Sequence, residues 1–325
     1  MATDVLLKKS EKRLEALRSH IVPVKPEDAI TEAARQVLLA EFVQMLEREA
    51  GSRTGADIED VHQMRVAIRR TRSLMKLLES RFKHKIIKAY DNDLRSIMRV
   101  LGPLRDLDVM IHDLEVYQSA LSDEKAAVVQ EIIEALEQRR VVARRRLIQT
   151  LNDKHYRRFI KRYSQFLTTP GAGTRTLDGN KVEPYQVRHV LPPMIFEHRA
   201  AVRAYDVVLD TADVDTLHAL RIEFKELRYV ISLFSNMLDD SIKDYIEELK
   251  KIQDHLGRLN DISIARDHFS DLMEDLEGEQ IELLWEYLGT LEAEQPQLIE
   301  QMPGVWKRFN SKTVQRKLMN AVLSL

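Results

Sequence analysis

Residues 61–72 have the sequence Val61-His62-Gln63-Met64-Arg65-Val66-Ala67-Ile68-Arg69-Arg70-Thr71-Arg72. Apolar residues recur here at three- and four-residue spacing, which predicts an amphipathic helix with Asp57 as its N-cap. At about 100° per residue, an arc of about 80° on this helix carries a first ridge made of His62, Arg65, Arg69, Arg72 and Lys76. The opposite side is expected to face a helical core and carries Met64, Ala67, Ile68, Thr71, Met75 and Leu78.

A second copy of this pattern occurs in the C-terminal half of the chain. Residues 217–228 have the sequence Leu217-His218-Ala219-Leu220-Arg221-Ile222-Glu223-Phe224-Lys225-Glu226-Leu227-Arg228, after a matching N-cap candidate at Asp213. The second ridge consists of His218, Arg221, Lys225 and Arg228. Each copy is followed by a Gly-x-x-[Arg/Asn]-Asp segment, at 102–106 and 257–261, and later by an aromatic–basic–basic–Phe segment, at 156–159 and 306–309. This order, at nearly constant spacing, predicts an internal duplication.

The composition favours long helices and excludes several kinds of functional site. The 10 Gly and 9 Pro are about half of ordinary usage, so few turns are expected. The absence of cysteine excludes a disulfide scaffold, a thiolate nucleophile and a Cys-ligated metal site. We therefore predict an all-α fold of two similar antiparallel helical bundles. The predicted divisions are an N-terminal helical extension at 1–26, a first bundle at 27–169, a Gly- and Pro-rich linker at 170–183 and a second bundle at 184–325.

The formal net charge of −2 conceals a separation of charge along the chain. Residues 61–105 contain 12 Lys+Arg and 3 Asp+Glu, residues 139–162 contain 10 and 1, and residues 237–301 contain 5 and 18. Like charges three and four positions apart on a helix repel by a few tenths of a kcal/mol per pair. Because the chain bears that cost in both ridges, we expect the ridges to bind an anion.

The paired H-x-x-R-x-x-x-[RK]-x-x-R helices, each followed by the Gly-x-x-[RN]-Asp segment, resemble the CHAD domain family over about residues 27–325. The resemblance implies two bundles related by a pseudo-two-fold axis, with inorganic polyphosphate bound on a shared basic surface. It also implies, as in some relatives, association with polyphosphate granules. The Glu-x-Glu-x-Lys signature of the triphosphatase domain fused to many relatives is absent. We therefore expect a stand-alone copy that is not an enzyme and needs no cofactor or metal.

The resemblance implicates His62, Arg65, Arg69 and Arg72, with His218, Arg221, Lys225 and Arg228, in polyphosphate binding, and Arg105-Asp106 and Asn260-Asp261 fit the turn of that family. We extend this set with further cations of the two repeats. The predicted polyphosphate-binding residues are His62, Arg65, Arg69, Arg72, Lys76, Arg95, Arg99, Arg105, Arg157, Arg158, His218, Arg221, Lys225, Arg228, Lys250, Lys251, Lys307 and Arg308.

A metal-dependent phosphohydrolase is the alternative function. Asp106, Asp108 and His112 form a D-x-D-x-x-x-H motif, in which the last two residues are one helical turn apart and could share a metal. The second repeat lacks the second carboxylate and has Asp267 where His112 would recur. The structural interpretation of Asp106 and Asp261 is that each caps a new helix after a glycine ends the previous one.

The sequence also bears on binding of nucleic acid, partner proteins and membranes, and on the location of the protein in the cell. Aromatic residues make up only 6 % of the chain and do not interleave the ridges, which disfavours single-stranded nucleic acid. The acidic segment 237–301 is either a docking surface for a basic partner protein or a set of solvated helix faces. The sequence has neither a signal peptide nor about 18 consecutive apolar residues, so we expect a cytoplasmic protein that does not contact membranes.

Overall fold

The computed structural model describes residues 11–176 and 182–325, and the predicted all-α fold is confirmed there. Part of the predicted N-terminal extension (1–10) and part of the predicted linker (177–181) lie outside these ranges. The helices are α1 (11–18), α2 (Ile30–Glu47), α3 (Glu49–Thr54), α4 (Ile58–Leu77), α5 (His84–Gln118), α6 (Asp123–Asn152), α7 (Lys154–Thr168), α8 (Val187–Arg203), α9 (Val214–Leu233), α10 (Ser241–Met273), α11 (Glu279–Glu292), α12 (Gln295–Phe309) and α13 (Lys312–Leu323). Neither described range contains a β-strand or a helix that is long and apolar enough to cross a membrane.

The chain forms two compact units. The N-terminal unit runs to Asp108 and resumes at Arg140–Pro192, and the C-terminal unit comprises Val109–Arg139 and Pro193–Leu325. Residues 109–139 therefore group with the C-terminal half, whereas the repeat boundaries drawn from the sequence keep them with the first half. Those boundaries, the duplication and the pseudo-two-fold axis stay predictions.

In the N-terminal unit, α4 packs its apolar face against α2. All six side chains predicted for that face are buried, each with at most 3 % of its surface exposed. Phe42 of α2 meets Tyr163 of α7 edge-to-face at 4.9 Å, which closes the core on the other side of α2. Burying each large apolar side chain stabilises the fold by about 1.5–3 kcal/mol, so this packing holds α4 with its cationic edge outward.

In the C-terminal unit, α10 packs against α9, α11, α12 and α13. Phe224 of α9 meets Phe309 and Trp306 of α12 edge-to-face, with ring centroids 5.0 and 6.1 Å apart. The aromatic–basic–basic–Phe segments have the same burial pattern in both units. Tyr156, Phe159, Trp306 and Phe309 are buried, while the cations between them are exposed.

Both predicted N-caps are confirmed. The Asp57 carboxylate accepts a hydrogen bond from the Glu59 amide at 2.8 Å, and the Asp213 carboxylate accepts one from the Thr216 amide at 2.8 Å. Hydrogen bonds from Thr216 also lower the pKa of Asp213. The two capped helices, α4 and α9, are each 20 residues long, and their histidines lie in the opening turns as predicted.

The interpretation of Asp106 and Asp261 as caps of new helices is wrong. Helix α5 continues through Gly102 and Pro103, and α10 continues through Gly257. An interior glycine costs only about 1 kcal/mol relative to alanine. Buried leucines on either side of each glycine offset that cost, since Leu101, Leu104, Leu256 and Leu259 each have at most 2 % of their surface exposed. Tertiary packing therefore overrides the local signal for a helix end.

Candidate anion-binding site

Three residues of the first ridge, His62, Arg65 and Arg69, are half-buried and face Arg105 of α5. Burial lowers the pKa of His62, and the positive charges of Arg105, Arg69 and Arg65 lower it further against the opposing effect of Glu59. We call His62, Arg65, Arg69 and Arg105 the N-terminal cluster. Its members are close enough to one another for the arginines to lower the pKa of the histidine.

Two guanidinium nitrogens of this cluster lack hydrogen-bond partners. Within the described residues, Arg65 Nη1 and Arg69 Nε are buried and donate to no acceptor. Burial lowers the pKa of Arg65, Asp106 partly opposes this, and Arg69 and Arg105 add to it. A buried donor without a partner costs about 1–3 kcal/mol. The cluster thus combines positive charge with hydrogen-bond donors that the described fold leaves without partners.

The outer part of the first ridge is already paired with an acid. Arg72 Nε lies 2.7 Å from Asp91 Oδ1, and Arg95 Nε lies 2.6 Å from Asp91 Oδ2. One carboxylate of α5 therefore partly neutralises two predicted binding residues. Lys76 and Arg99 are exposed. The α4 sequence alone does not reveal this pairing, because the acid comes from another helix.

The second ridge lies on α9 in the C-terminal unit. His218 is exposed, and Arg221, Lys225 and Arg228 are half-buried and each interact with another group of the chain. The predicted residues outside α9 divide into exposed and paired ones. Lys250 and Lys307 are exposed.

Glu248 of α10 pairs with two predicted binding residues of the C-terminal unit. Lys251 Nζ lies 2.7 Å from its Oε1, and Arg308 Nε lies 3.1 Å from its Oε2. Burial would raise the pKa of Glu248, but the hydrogen bonds from these two cations outweigh it and lower the pKa. Glu248 therefore stays ionised and holds both cations.

Arg157 and Arg158 of α7 are not brought to the first ridge by any contact. Both are exposed, and no hydrogen bond or ion pair within the described ranges joins them to it. They stay predictions that rest on the sequence pattern alone.

Sequence reasoning missed Arg144 of α6 as a site residue. Its Nη1 donates to the Thr54 carbonyl at 3.2 Å, while its Nε and Nη2 are buried and have no hydrogen-bond partner within the described residues. The guanidinium packs against Gly55, two positions before the Asp57 cap of α4. It thus binds the C-terminal end of α3, in the turn that leads into α4. Two features of the sequence could have pointed to Arg144. It lies in the basic segment 139–162, and Gly55, which it contacts, is a glycine just before the α4 cap.

A sequence profile of the CHAD domain matches residues 36–270. The chain belongs to the CHAD domain family. Two curated relatives of this CHAD protein are the uncharacterized proteins MT2285 and Rv2226 of Mycobacterium tuberculosis, from strains CDC 1551 / Oshkosh and ATCC 25618 / H37Rv. Each is 27% identical over 216 residues, which are 66% of this chain and 40% of the relative, so the chain spans well under half of their length.

Two solved structures share the CHAD fold. The crystal structure of the CHAD domain from the plant Ricinus communis matches with a TM-score of 0.71 at 21% identity, and covers 88% of this chain and 94% of its own. PptA from Streptomyces chartreusis matches with a TM-score of 0.57 at 14% identity, and covers 86% and 98%. At these identities the likeness establishes the fold alone.

The D-x-D-x-x-x-H motif of this CHAD protein does not assemble a metal site. Within the described ranges no three His, Asp or Glu side chains converge as metal ligands. Asp108 has 1 % of its surface exposed, with its Oδ1 3.7 Å from Arg140 Nη1, whereas His112 is exposed. The buried Asp108 thus lies beside the half-buried guanidinium of Arg140.

A cavity of about 390 Å³ in the N-terminal unit lies outside the ridge. It is lined by α5 residues 93–97 and by residues 149–159 around the α6–α7 junction. Its principal polar groups are engaged within the chain. Asp93 pairs with Arg162 at 2.7 Å, Asp153 accepts from the His155 amide at 2.6 Å, and Tyr156 donates to Glu49 at 2.6 Å. We assign it no ligand.

Proposed function

We propose that this CHAD protein binds inorganic polyphosphate through its two basic ridges and catalyses no reaction on it. The observation that carries the proposal is the N-terminal cluster, where four cationic or ionisable groups meet around two buried guanidinium nitrogens without hydrogen-bond partners in the described residues. The association of the CHAD family with polyphosphate supports the same ligand.

The cluster suits a phosphate in particular. Arginine presents a planar fork of donors that matches two oxygens of one phosphate, and such charge-assisted bonds are about twice as strong as neutral ones. Arg65 and Arg69 supply these forks from successive turns of α4, and Arg105 supplies a third from α5. The N-terminus of α4 adds a partial positive charge.

The length of the ridge favours a polymer over a single phosphate. From His62 to Lys76 the axis of α4 rises about 21 Å, at 1.5 Å per residue. One phosphate reaches only part of that distance. A polyphosphate chain carries a negative charge on nearly every unit and can pair with cations along the whole edge. The second ridge offers a similar edge on α9.

Titration with polyphosphates of graded length at two salt concentrations tests the proposal. Isothermal calorimetry should give affinity that rises with chain length and falls steeply with salt, because binding releases counterions. Strongest binding of triphosphate or a nucleotide would contradict it. Failure of long polyphosphate to displace DNA or RNA at physiological salt would also contradict it.

A charge-reversal pair tests the residues. Arg69→Glu combined with Lys225→Glu should abolish polyphosphate binding while circular dichroism shows unchanged helicity. The control is Lys85→Glu combined with Lys312→Glu, which makes the same change in net charge at exposed positions outside the predicted set. Equal losses of affinity in the two double variants would show that the ridges are only solvated helix faces, which would contradict the proposal.

A phosphate-release assay tests the non-catalytic part of the proposal. Wild-type protein incubated with polyphosphate and Mg²⁺ or Mn²⁺ should release no phosphate above background. Robust release that is lost in Asp106→Ala or Asp108→Ala would establish the phosphohydrolase instead.

A further inference from the structure

Helix α11 of the C-terminal unit presents a tryptophan to solvent. Trp285 has 58% of its surface exposed, whereas Leu284 and Leu288 on the inner side of the helix have 0% and 1%. The other tryptophan of the chain, Trp306, is buried at 7% and donates to Asp206. Tryptophan is enriched among the residues that dominate binding energy at protein interfaces. Its exposure on α11 makes it a candidate anchor for a partner.

Gly289 lies one helical turn after Trp285 and leaves that side of the indole open. A Cβ at Gly289 would meet no atom within 4 Å, so packing within the described fold does not require a glycine there. In a helix interior, glycine costs about 1 kcal/mol relative to alanine. Gly289 destabilises its own helix and is not required by packing within the described fold. Its lack of a side chain would, however, let the backbone of another chain approach the helix closely.

The chain segment that carries this pair is acidic, although Lys125 of α6 pairs with the neighbouring Glu286 at 2.7 Å. No Lys or Arg occurs between Arg266 and Lys307. Glu282 precedes Trp285 by three positions and Glu292 follows it by seven, so both lie on its side of the helix. Both are exposed, and neither forms an ion pair within the described part of the chain.

We propose that the face of α11 formed by Trp285 and Gly289, between Glu282 and Glu292, docks a Lys- and Arg-rich segment of a partner protein. The indole face attracts a guanidinium or ammonium group, an interaction of about 0.5–1 kcal/mol at an exposed site and more once water is excluded. The two glutamates pair with flanking cations, and the glycine lets the backbone of the segment lie close to the helix. This surface is separate from the ridges, and its occupant has the opposite charge to polyphosphate.

Fluorescence anisotropy of a labelled peptide of alternating arginine and alanine tests the proposal with the full chain at physiological salt. The peptide should bind saturably at one site, and a glutamate–alanine peptide should not bind. Trp285→Ala and Gly289→Gln should each weaken binding at least tenfold. Gly304→Gln is the matched control, since Gly304 is also an open glycine within a helix of the same unit.

A second pair of variants separates a docking face from diffuse attraction. Glu282→Lys with Glu292→Lys should abolish peptide binding. Asp267→Lys with Asp271→Lys changes the net charge equally at exposed positions on α10 and should lower affinity only a few-fold. Equal losses in the two pairs, no effect of Trp285→Ala, or no saturable binding would overturn the proposal. Trp285-dependent self-association without peptide binding would overturn it in favour of a second copy of the chain.

Discussion

The guanidinium of Arg65 on α4 lies against the backbone of α5 at Gly102, where an added Cβ would stand 3.2 Å from Nη1. That distance is shorter than an ordinary van der Waals contact, so Arg65 occupies the space that any other residue at 102 would fill. The sequence-related Gly257 of α10 has no atom within 4 Å of its Cβ position. The two glycines stand at matching positions of the repeated pattern, yet only Gly102 borders a ridge cation so closely.

Alanine at these two positions should have different effects. Each substitution removes a helix-interior glycine, so each gains up to about 1 kcal/mol of helix propensity. Gly102→Ala should also displace Arg65 from the N-terminal cluster and weaken polyphosphate binding several-fold. Gly257→Ala should leave affinity unchanged. Calorimetric titration and urea unfolding of both variants check this, and equal affinities would show that the position of Arg65 does not matter for binding.

Removing Asp91 should strengthen polyphosphate binding. Asp91→Asn frees Arg72 and Arg95 from their shared carboxylate, so we expect several-fold tighter binding and a steeper dependence on salt. Asp93→Asn is the control, because it makes the same charge change two positions away but frees only Arg162. Weaker binding in Asp91→Asn would mean that the carboxylate serves to position the two arginines.

Polyphosphate binding should tighten as the pH falls from 8 to 6. The pKa of His62 is lowered by burial and by the cations of the N-terminal cluster, so the free protein resists protonation there. This residue therefore reduces the stability of the free protein as the pH falls below the unfolded-state pKa, about 6.5. A bound polyanion reverses the local charge and favours the imidazolium, so binding takes up protons.

Calorimetry in buffers of different ionisation enthalpy measures that proton uptake. His62→Gln should reduce both the uptake and the pH dependence of affinity. His112→Gln, at an exposed position outside the ridges, should leave both unchanged. An unaltered pH profile in His62→Gln would exclude His62 as the group that takes up the proton.

Glu41 should make the protein less stable as the pH rises through 6. Burial raises the pKa of this α2 carboxyl to about 6, although Arg70, 3.5 Å away, partly opposes the rise. The native state then binds more protons than the unfolded state between pH 4.5 and 6. The stability from this group is fully present below pH 4.5 and falls by about 2 kcal/mol above pH 6.

Urea unfolding across pH 4.5–7.5 checks this prediction for wild type and Glu41→Gln. The variant should lack the decline that Glu41 causes and be relatively more stable at pH 7.5. Glu47→Gln, on the same helix, should follow the wild-type profile. The same decline in Glu41→Gln would assign it to another group.

The sequence was sufficient to predict features that depend on residues close to one another along the chain. The apolar period of α4, its Asp57 cap and the arc that carries the first ridge depend on neighbours within a few turns. Features that need a second helix were not predictable. Asp91 reaches Arg72 from α5, and Arg144 reaches the end of α3 from α6. Gly102 was misinterpreted as a helix end because packing on both sides of it outweighs its low propensity.

We expect Asp91 and Glu248 to make the cations they pair with, on and beside the ridges, select ligands by the number of their charges. Each carboxylate is tethered beside two cations and so competes with any ligand at a high effective concentration. A free orthophosphate makes only a single contact, so it gains too little binding free energy to displace the carboxylate. A polymer anchored at the N-terminal cluster presents its next unit to Arg72 at a comparable local concentration and can displace Asp91. The protein's own acids would thus keep its outer cations occupied in a solution of small phosphates and yield them only to a chain.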